Sequence, residues 1–438
     1  MRCIFVVAVW CLPVLSHADD FSAAKLDNWH HWRGPLASGY APKANPPTKW
    51  DAQTNIHWKV PLPGRGSATP IVWGERVFIV TAVKTDKIAD KLPDPDPRFE
   101  TRTERPKNYY QFVVLCYDRG TGKLRWQQQA AEAVPHEGHH ASHSYAAGSP
   151  TTDGRRLYVS FGSQGIYCYT LDGQPIWNRQ FGALHSRLGW GEAVTPVIYN
   201  DSLLINWDQE EDSKLICLDA ATGKTRWEQP RDEKTSWNSP LIVEQPDRVQ
   251  VVLNGTKRIR GYDLRYGKPL WQCPGMTTNA IPSCVTDGSF IYGMSGYGAG
   301  AAVAVPVNAS GELSKEALHW KLEKGTPYVP SPLLAGKRLF FTQANQPLLS
   351  IVDADSGKFL VERERLAGVT SFYASPAAAA GRVYLVDRDG TTLVLKLSDT
   401  IEVLATNRLN DPIDASPVLV GKQLFLRGEH FLYCIEEK

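Results

Sequence analysis

Long apolar runs are nearly missing from this 438-residue chain. Beyond the first fifteen or so residues, no stretch reaches the roughly 18 to 20 apolar residues that a membrane-crossing helix needs. Membrane insertion is therefore not expected. Charge of one sign is missing as well: 48 Lys and Arg stand against 46 Asp and Glu, well mixed, for a net charge of +2. With no basic stripe, a nucleic-acid partner is excluded. Cysteine is sparse, at eight, and no two cysteines are adjacent. No glycine-rich phosphate loop, nucleophile elbow or pair of helix histidines occurs. No catalytic residue is assigned.

What the chain has is 14 Trp, 35 Gly and 30 Pro, a composition suited to an all-β fold with many turns and ring anchors. The period sits in "KLICLDAATGKTRW", Lys214 to Trp227. It reads as a strand, a tight turn with Gly223 at positive φ, and a second strand that ends on a large ring. "LCYDRGTGKLRW" from Leu115, "YCYTLDGQPIW" from Tyr167 and "YDLRYGKPLW" from Tyr262 repeat it. Weaker copies begin at Val352 and Leu395. A small residue and a proline open each repeat, at Pro70, Pro150, Pro196, Pro240, Pro282, Pro332, Pro376 and Pro417. The spacings are 80, 46, 44, 42, 50, 44 and 41. A period in the mid-forties signals a propeller, and eight prolines predict eight four-stranded blades.

The last repeat, from Ser416, shows only three strands, whereas "NIHWKVP", Asn55 to Pro61, is an orphan strand ending like the others. Ile56 to Val60 is therefore expected to complete the eighth blade and remove an exposed edge. The domain plan is a leader over 1–18, an arm over 19–50 and a propeller over 51–438. The leader has Arg2, an apolar Ile4 to Leu15, and Ser16-His17-Ala18 before the cleavage point at Asp19. This predicts a periplasmic or extracellular protein, expected as a monomer. Cys116, Cys168, Cys217 and Cys434 recur at one position of four repeats and are expected to be buried apolar residues. Cys273 and Cys284 stand outside that pattern, and their pairing is left open.

Strand order places the first-to-second and third-to-fourth turns on one face, where they are short. The second-to-third loops and the links between blades share the other face, where they are long and rich in unusual residues. The candidate ligand face comprises His139, His140, His143, Trp190, Asp208, Arg231, Trp237, Lys257, Tyr297, Tyr328 and Asn345. His136, His139, His140 and His143, four imidazoles in eight residues, are the candidate metal ligands. The charged stretches 207–212 and 231–237 read as a solvated ion-pair network. Residues 84–110 are an insertion, either a lid or a surface loop. Ser149, Thr195, Ser239, Ser331, Ser375 and Ser416 read as strand-start residues rather than a site.

Asp118 to Trp126 and Asp219 to Trp227 resemble the tryptophan-docking repeat of pyrroloquinoline-quinone (PQQ) propeller proteins. "SYAAGSPTTDGRRLYVSFGSQGIYCYTLDG" from Ser144 and "GWGEAVTP" from Gly189 resemble the PQQ-like propellers exported by planctomycete-type bacteria. The resemblance implies an eight-bladed propeller and two roles. One is a scaffold that binds a protein, peptide or glycan on the long-loop face, as the barrel-assembly propeller does. The alternative is a quinoprotein oxidoreductase holding PQQ and calcium in the funnel and acting on alcohols or sugars. The alcohol-oxidising members stack the quinone on a disulfide between adjacent cysteines, a pair this chain lacks. The scaffold is the expected role.

Overall fold

The computed structural model describes residues 17–92 and 94–437, with side chains from residue 21 onward. The leader therefore lies outside the described residues except for its last two, which open a helix, His17–Ala24.

Blade three shows how the repeat folds. Its strands, Val197–Tyr199, Ser202–Trp207, Lys214–Asp219 and Thr225–Pro230, pair antiparallel in chain order. The two middle strands are buried on both faces because a neighbouring blade covers each side. This is why Leu203 to Ile205 and Leu215 to Leu218 run apolar without strict alternation. The outermost strand is mostly exposed. Among the described residues there are eight such sheets. The eighth is closed as expected: Ile56–Pro61 pairs with Phe431–Glu436, with Trp58 opposite Cys434. Both chain ends thus share one sheet, and no edge is left open at the seam.

The repeated turn couples adjacent blades. Asp219 accepts hydrogen bonds from the Thr222 amide and hydroxyl at 2.9 and 2.7 Å, and Gly223 takes φ 69°. The Trp177 ring of the preceding blade lies on Gly223, where a Cβ would come within 2.7 Å of it, and its indole N–H donates to the Ala220 carbonyl at 3.0 Å. Trp58, Trp126, Trp227 and Trp320 repeat this contact on Gly122, Gly173, Gly267 and Gly357. Opposite four of these rings sits a small residue: Cys434, Cys116, Cys168 and Cys217 face Trp58, Trp126, Trp177 and Trp227. All six cysteines beyond the leader are buried and free, Cys273 and Cys284 included.

Blade four departs from the four-strand pattern. It gains a fifth strand, Gly311–Glu312, parallel to Trp271 and Gln272. That strand comes from blade five, whose third-to-fourth connection is a long excursion from Val307 to His319 instead of a short turn. With no turn glycine to lie on, the Trp271 ring is buried in its own blade and donates to Gln250 Oε1 at 2.7 Å. The expectation of short connections on the turn face is corrected at this blade.

The segment 28–45 runs across the turn-face end of the central channel. It bonds to Val72, Thr152, Leu334, Ala378 and Gly421, on blades one, two, six, seven and eight. Trp29 is fully buried there, and the buried Arg33 guanidinium donates to the carbonyls of Ser38, Pro332 and Pro376.

Candidate functional site

The links between blades meet around the axis at the long-loop face. The strand-start hydroxyls form a ring there. The Thr69 amide donates to Ser149 Oγ at 2.9 Å, Ser149 to Thr195 at 3.0 Å, and Ser416 back to Thr69 at 3.2 Å. The same bond joins Ser239, Ser283, Ser331, Ser375 and Ser416 in turn. Among the described residues only the Thr195–Ser239 junction lacks it. Blade five enters this ring through Ser283, the residue after Pro282 and not the one before it. Measured from ring residue to ring residue, the proline spacings of 42 and 50 become 44 and 48.

Above the ring lies a cavity of about 410 Å³, within the range of small-molecule sites. Its walls are Trp190, Trp237, Tyr297, Tyr328 and Tyr373, and Trp32 reaches it from the N-terminal segment. Six of the ring residues, Thr69, Ser149, Thr195, Ser239, Ser375 and Ser416, line it, so the strand-start hydroxyls also face the cavity. Each aromatic wall is held from behind. The Trp237 indole donates to the Gly191 carbonyl at 2.8 Å, and Tyr297 lies 5.0 Å from the Tyr328 ring and 6.3 Å from that of Trp190. Ser142 donates to the Tyr373 hydroxyl at 3.1 Å, and the Arg388 guanidinium covers the Tyr373 ring at 4.0 Å.

The expected ligand-face residues divide into two groups. His140, His143, Trp190, Trp237, Tyr297 and Tyr328 line the cavity. Asn345 stands behind it and accepts the Val329 amide at 3.1 Å. His139 packs edge-on against Tyr145, 4.5 Å away. Asp208 and Arg231 are a correction: they are not part of a solvated network. Both side chains are 0 % exposed, joined at 2.7 Å, with Tyr262 and Ser236 completing the pair. Lys257 is exposed and reaches the Asp232 carbonyl, away from the cavity. The sequence reading missed Tyr373, Asp414 and Trp32, none of which carries a repeat signal. The insertion 84–110 lines no part of the cavity among the described residues. It lies over the link from blade two to blade three, where Arg102 and Thr103 bond to Leu188 and Gly189.

The four-histidine cluster is also corrected, because the imidazoles do not converge. His139 bonds to the His140 carbonyl, His140 to Ser142 Oγ, and His143 to the Glu192 carbonyl, each at 2.7 to 3.0 Å. His139 and His143 thus meet backbone carbonyls and His140 a serine hydroxyl, while His136 Nε2 lies 3.1 Å from the Leu184 carbonyl. Only His136 joins a convergent group, with Glu137 and His185, in which one ligand atom from each lies within 4.8 Å of the others. His185 Nδ1 is 3.0 Å from Glu137 Oε1, and the Ser186 amide and hydroxyl hold Oε2. Burial raises the Glu137 carboxyl above its ordinary value and lowers His136 to about 4. Glu192, held by the Ser163 amide and hydroxyl, is pushed up to about 8, chiefly by burial.

The family model described as outer membrane protein assembly factor BamB matches residues 111–280. BamB from Moraxella catarrhalis is similar in structure: TM-score 0.54, 14% identity, covering 82% of this chain and 97% of that one. The quinohemoprotein alcohol dehydrogenase of Comamonas testosteroni has a TM-score of 0.65 at 11% identity, covering 96% and 82%. A quinohemoprotein alcohol dehydrogenase of Pseudomonas putida HK5 has a TM-score of 0.57 at 12% identity, covering 96% and 81%. No curated protein matches the chain. At these identities the likeness is one of fold.

The cavity also bears on the cofactor of the dehydrogenase-type neighbours. Its flat aromatic walls suit a planar ring. Calcium, however, takes six to eight oxygen ligands, usually with several carboxylates. Among the described residues, one carboxylate, Asp414, lines the cavity. Arg388 already holds it at 2.6 and 3.1 Å. The donor set therefore does not fit a quinone–calcium pair. The repeat and the closed ring of eight sheets make this chain an eight-bladed β-propeller, of which residues 111–280 match the BamB-described family model.

Proposed function

We propose that the protein is an exported, monomeric binding scaffold that recognises a protein, peptide or glycan on its long-loop face, seating one ring of that partner in the axial cavity. The observation that carries this reading is the wall of five aromatic rings over a floor of hydroxyls. Rings stack on a sugar face or an aromatic side chain at little entropic cost. The floor hydroxyls accept backbone amides from the neighbouring blade, which leaves their protons to donate to a ligand. The one carboxylate is neutralised, so the cavity favours a neutral, ring-bearing group over a cation. Export after cleavage before Asp19 suits a partner in the periplasm or outside the cell.

The test is a tryptophan-fluorescence titration of the purified chain with soluble oligosaccharides and with peptides bearing Tyr or Trp. A bound probe should lose at least about tenfold in affinity in Trp190→Ala and in Trp237→Ala, as central aromatic contacts usually do. Equal binding by both variants would remove the cavity from the interface.

A second reading, a PQQ- and calcium-dependent oxidoreductase of alcohols or sugars, draws support from the flat aromatic walls and the dehydrogenase-type fold. One-to-one binding of PQQ with calcium, joined to dye-coupled alcohol oxidation, would replace the scaffold reading with this one.

A further inference from the structure

Behind the cavity, the link from blade one to blade two meets the link from blade two to blade three. We propose that His136, Glu137 and His185 form a divalent metal site of the zinc class, with an open coordination position facing a small polar cavity beside Glu192. The proposal does not depend on the ligand reading above.

The donor set is two imidazoles and one carboxylate, the set that zinc and neighbouring first-row ions take when one position stays open. Glu137 Oε1 is the common point: His185 Nδ1 lies 3.0 Å from it and His136 Nε2 3.9 Å, and Nε2 would exchange its 3.1 Å contact with the Leu184 carbonyl for the ion. Metal–ligand bonds of about 2.0 to 2.2 Å put tetrahedral ligand atoms about 3.3 Å apart. The three ligand atoms, within 4.8 Å of one another, reach that spacing by side-chain shifts of about 1 to 1.5 Å.

The surroundings hold the ligands from behind, as outer-sphere partners of a metal do. Ser186 engages Glu137 Oε2 through both amide and hydroxyl, which leaves Oε1 for the ion. Phe99 of the insertion stacks on the His185 ring at 3.8 Å and 8°. His136 and His185 keep about a fifth of their side-chain surface open, which supplies an entry path.

A second observation is the space beside the triad. A cavity of about 30 Å³ is lined by His136, Glu137 and Glu192. That is room for a single water with polar partners. Glu192 Oε1 stands 3.8 Å from His136 Nδ1, placed to accept a hydrogen bond from a metal-bound water. The Ser163 amide and hydroxyl hold Glu192 in place beside this space, as those of Ser186 hold Glu137.

The experiment uses the full chain, dialysed against a chelator and titrated calorimetrically with Zn²⁺ alone and with Ca²⁺ alone. One equivalent of Zn²⁺ is expected to bind, with Ca²⁺ at least about tenfold weaker. Glu137→Gln and His185→Ala should each weaken Zn²⁺ by at least about tenfold. His319→Gln, an exposed histidine elsewhere, should leave binding unchanged. Zn²⁺ should raise the melting temperature of the parent and of His319→Gln but not of the two site variants. His136→Gln serves in place of any site variant that does not fold. Absence of a stoichiometric Zn²⁺ site in the parent, or undiminished binding in the site variants, overturns the proposal.

Discussion

Trp227 of blade three donates its indole N–H to the Leu264 carbonyl of blade four, 3.0 Å away, while its ring covers Gly267 at φ 70°. One sentence of sequence thus does two things: it ends its own blade and holds the turn of the next. Because each ring lies on a turn in the following blade, the contact is a circumferential tie and not a core contact within one sheet.

Gly267→Ala is expected to destabilise the protein strongly. A Cβ there would stand 2.5 Å from the Trp227 ring, in a backbone region that L-residues avoid. Overpacking and strain together should cost about 2 to 4 kcal/mol. Gly288→Ala, at φ 88° with open space around it, carries the backbone strain alone and should cost about 1 to 2 kcal/mol. Urea unfolding of the two variants checks the difference.

Removal of the closing strand should convert the protein into an associating one. A chain beginning at Leu62 exposes the edge of Phe431–Glu436, which Ile56–Pro61 now covers. Unpaired edges recruit other chains. Light scattering should show oligomers for this chain and a single species for the parent.

Asp208→Asn should cost about 3 to 5 kcal/mol, because Arg231 would remain buried with its partner charge gone. Lys257→Ala should change stability by under about 0.5 kcal/mol, since that side chain is half exposed and 3.9 Å from Asp232. Thermal melts at neutral pH distinguish these outcomes.

Acid should destabilise the fold through its buried histidines. Burial first, then the neighbouring His139, holds His143 down to about 4. Burial and then Arg33 hold His31 down to about 3. The unfolded chain takes up these protons below about pH 6.5 and the folded chain only at lower pH. Stability is therefore whole above about pH 6.5 and falls as the pH drops toward 4. Each buried histidine contributes on the order of 3 kcal/mol to that loss. Melting temperatures measured between pH 7 and 4 should fall, and His143→Gln should flatten the decline.

Eight repeats, the strand that closes the ring and the burial of four equivalent cysteines were legible in the residues themselves. The reason is local. An Asp with Thr and Gly three and four positions later, followed by an aromatic ring, sets a turn whose bonds all fall within a few residues, as Asp219, Thr222 and Gly223 show. Tertiary structure alone decided the rest. His185 meets Glu137 across 48 residues, and Asp208 meets Arg231 in a place no charge pattern marks as dry. Trp271 turns inward because the blade beside it has an excursion in place of a turn. The axial cavity gathers its walls from nearly every link, so no single window of sequence contains it. Turn chemistry acts over a few residues, whereas convergence on an axis depends on how whole sheets are set around it.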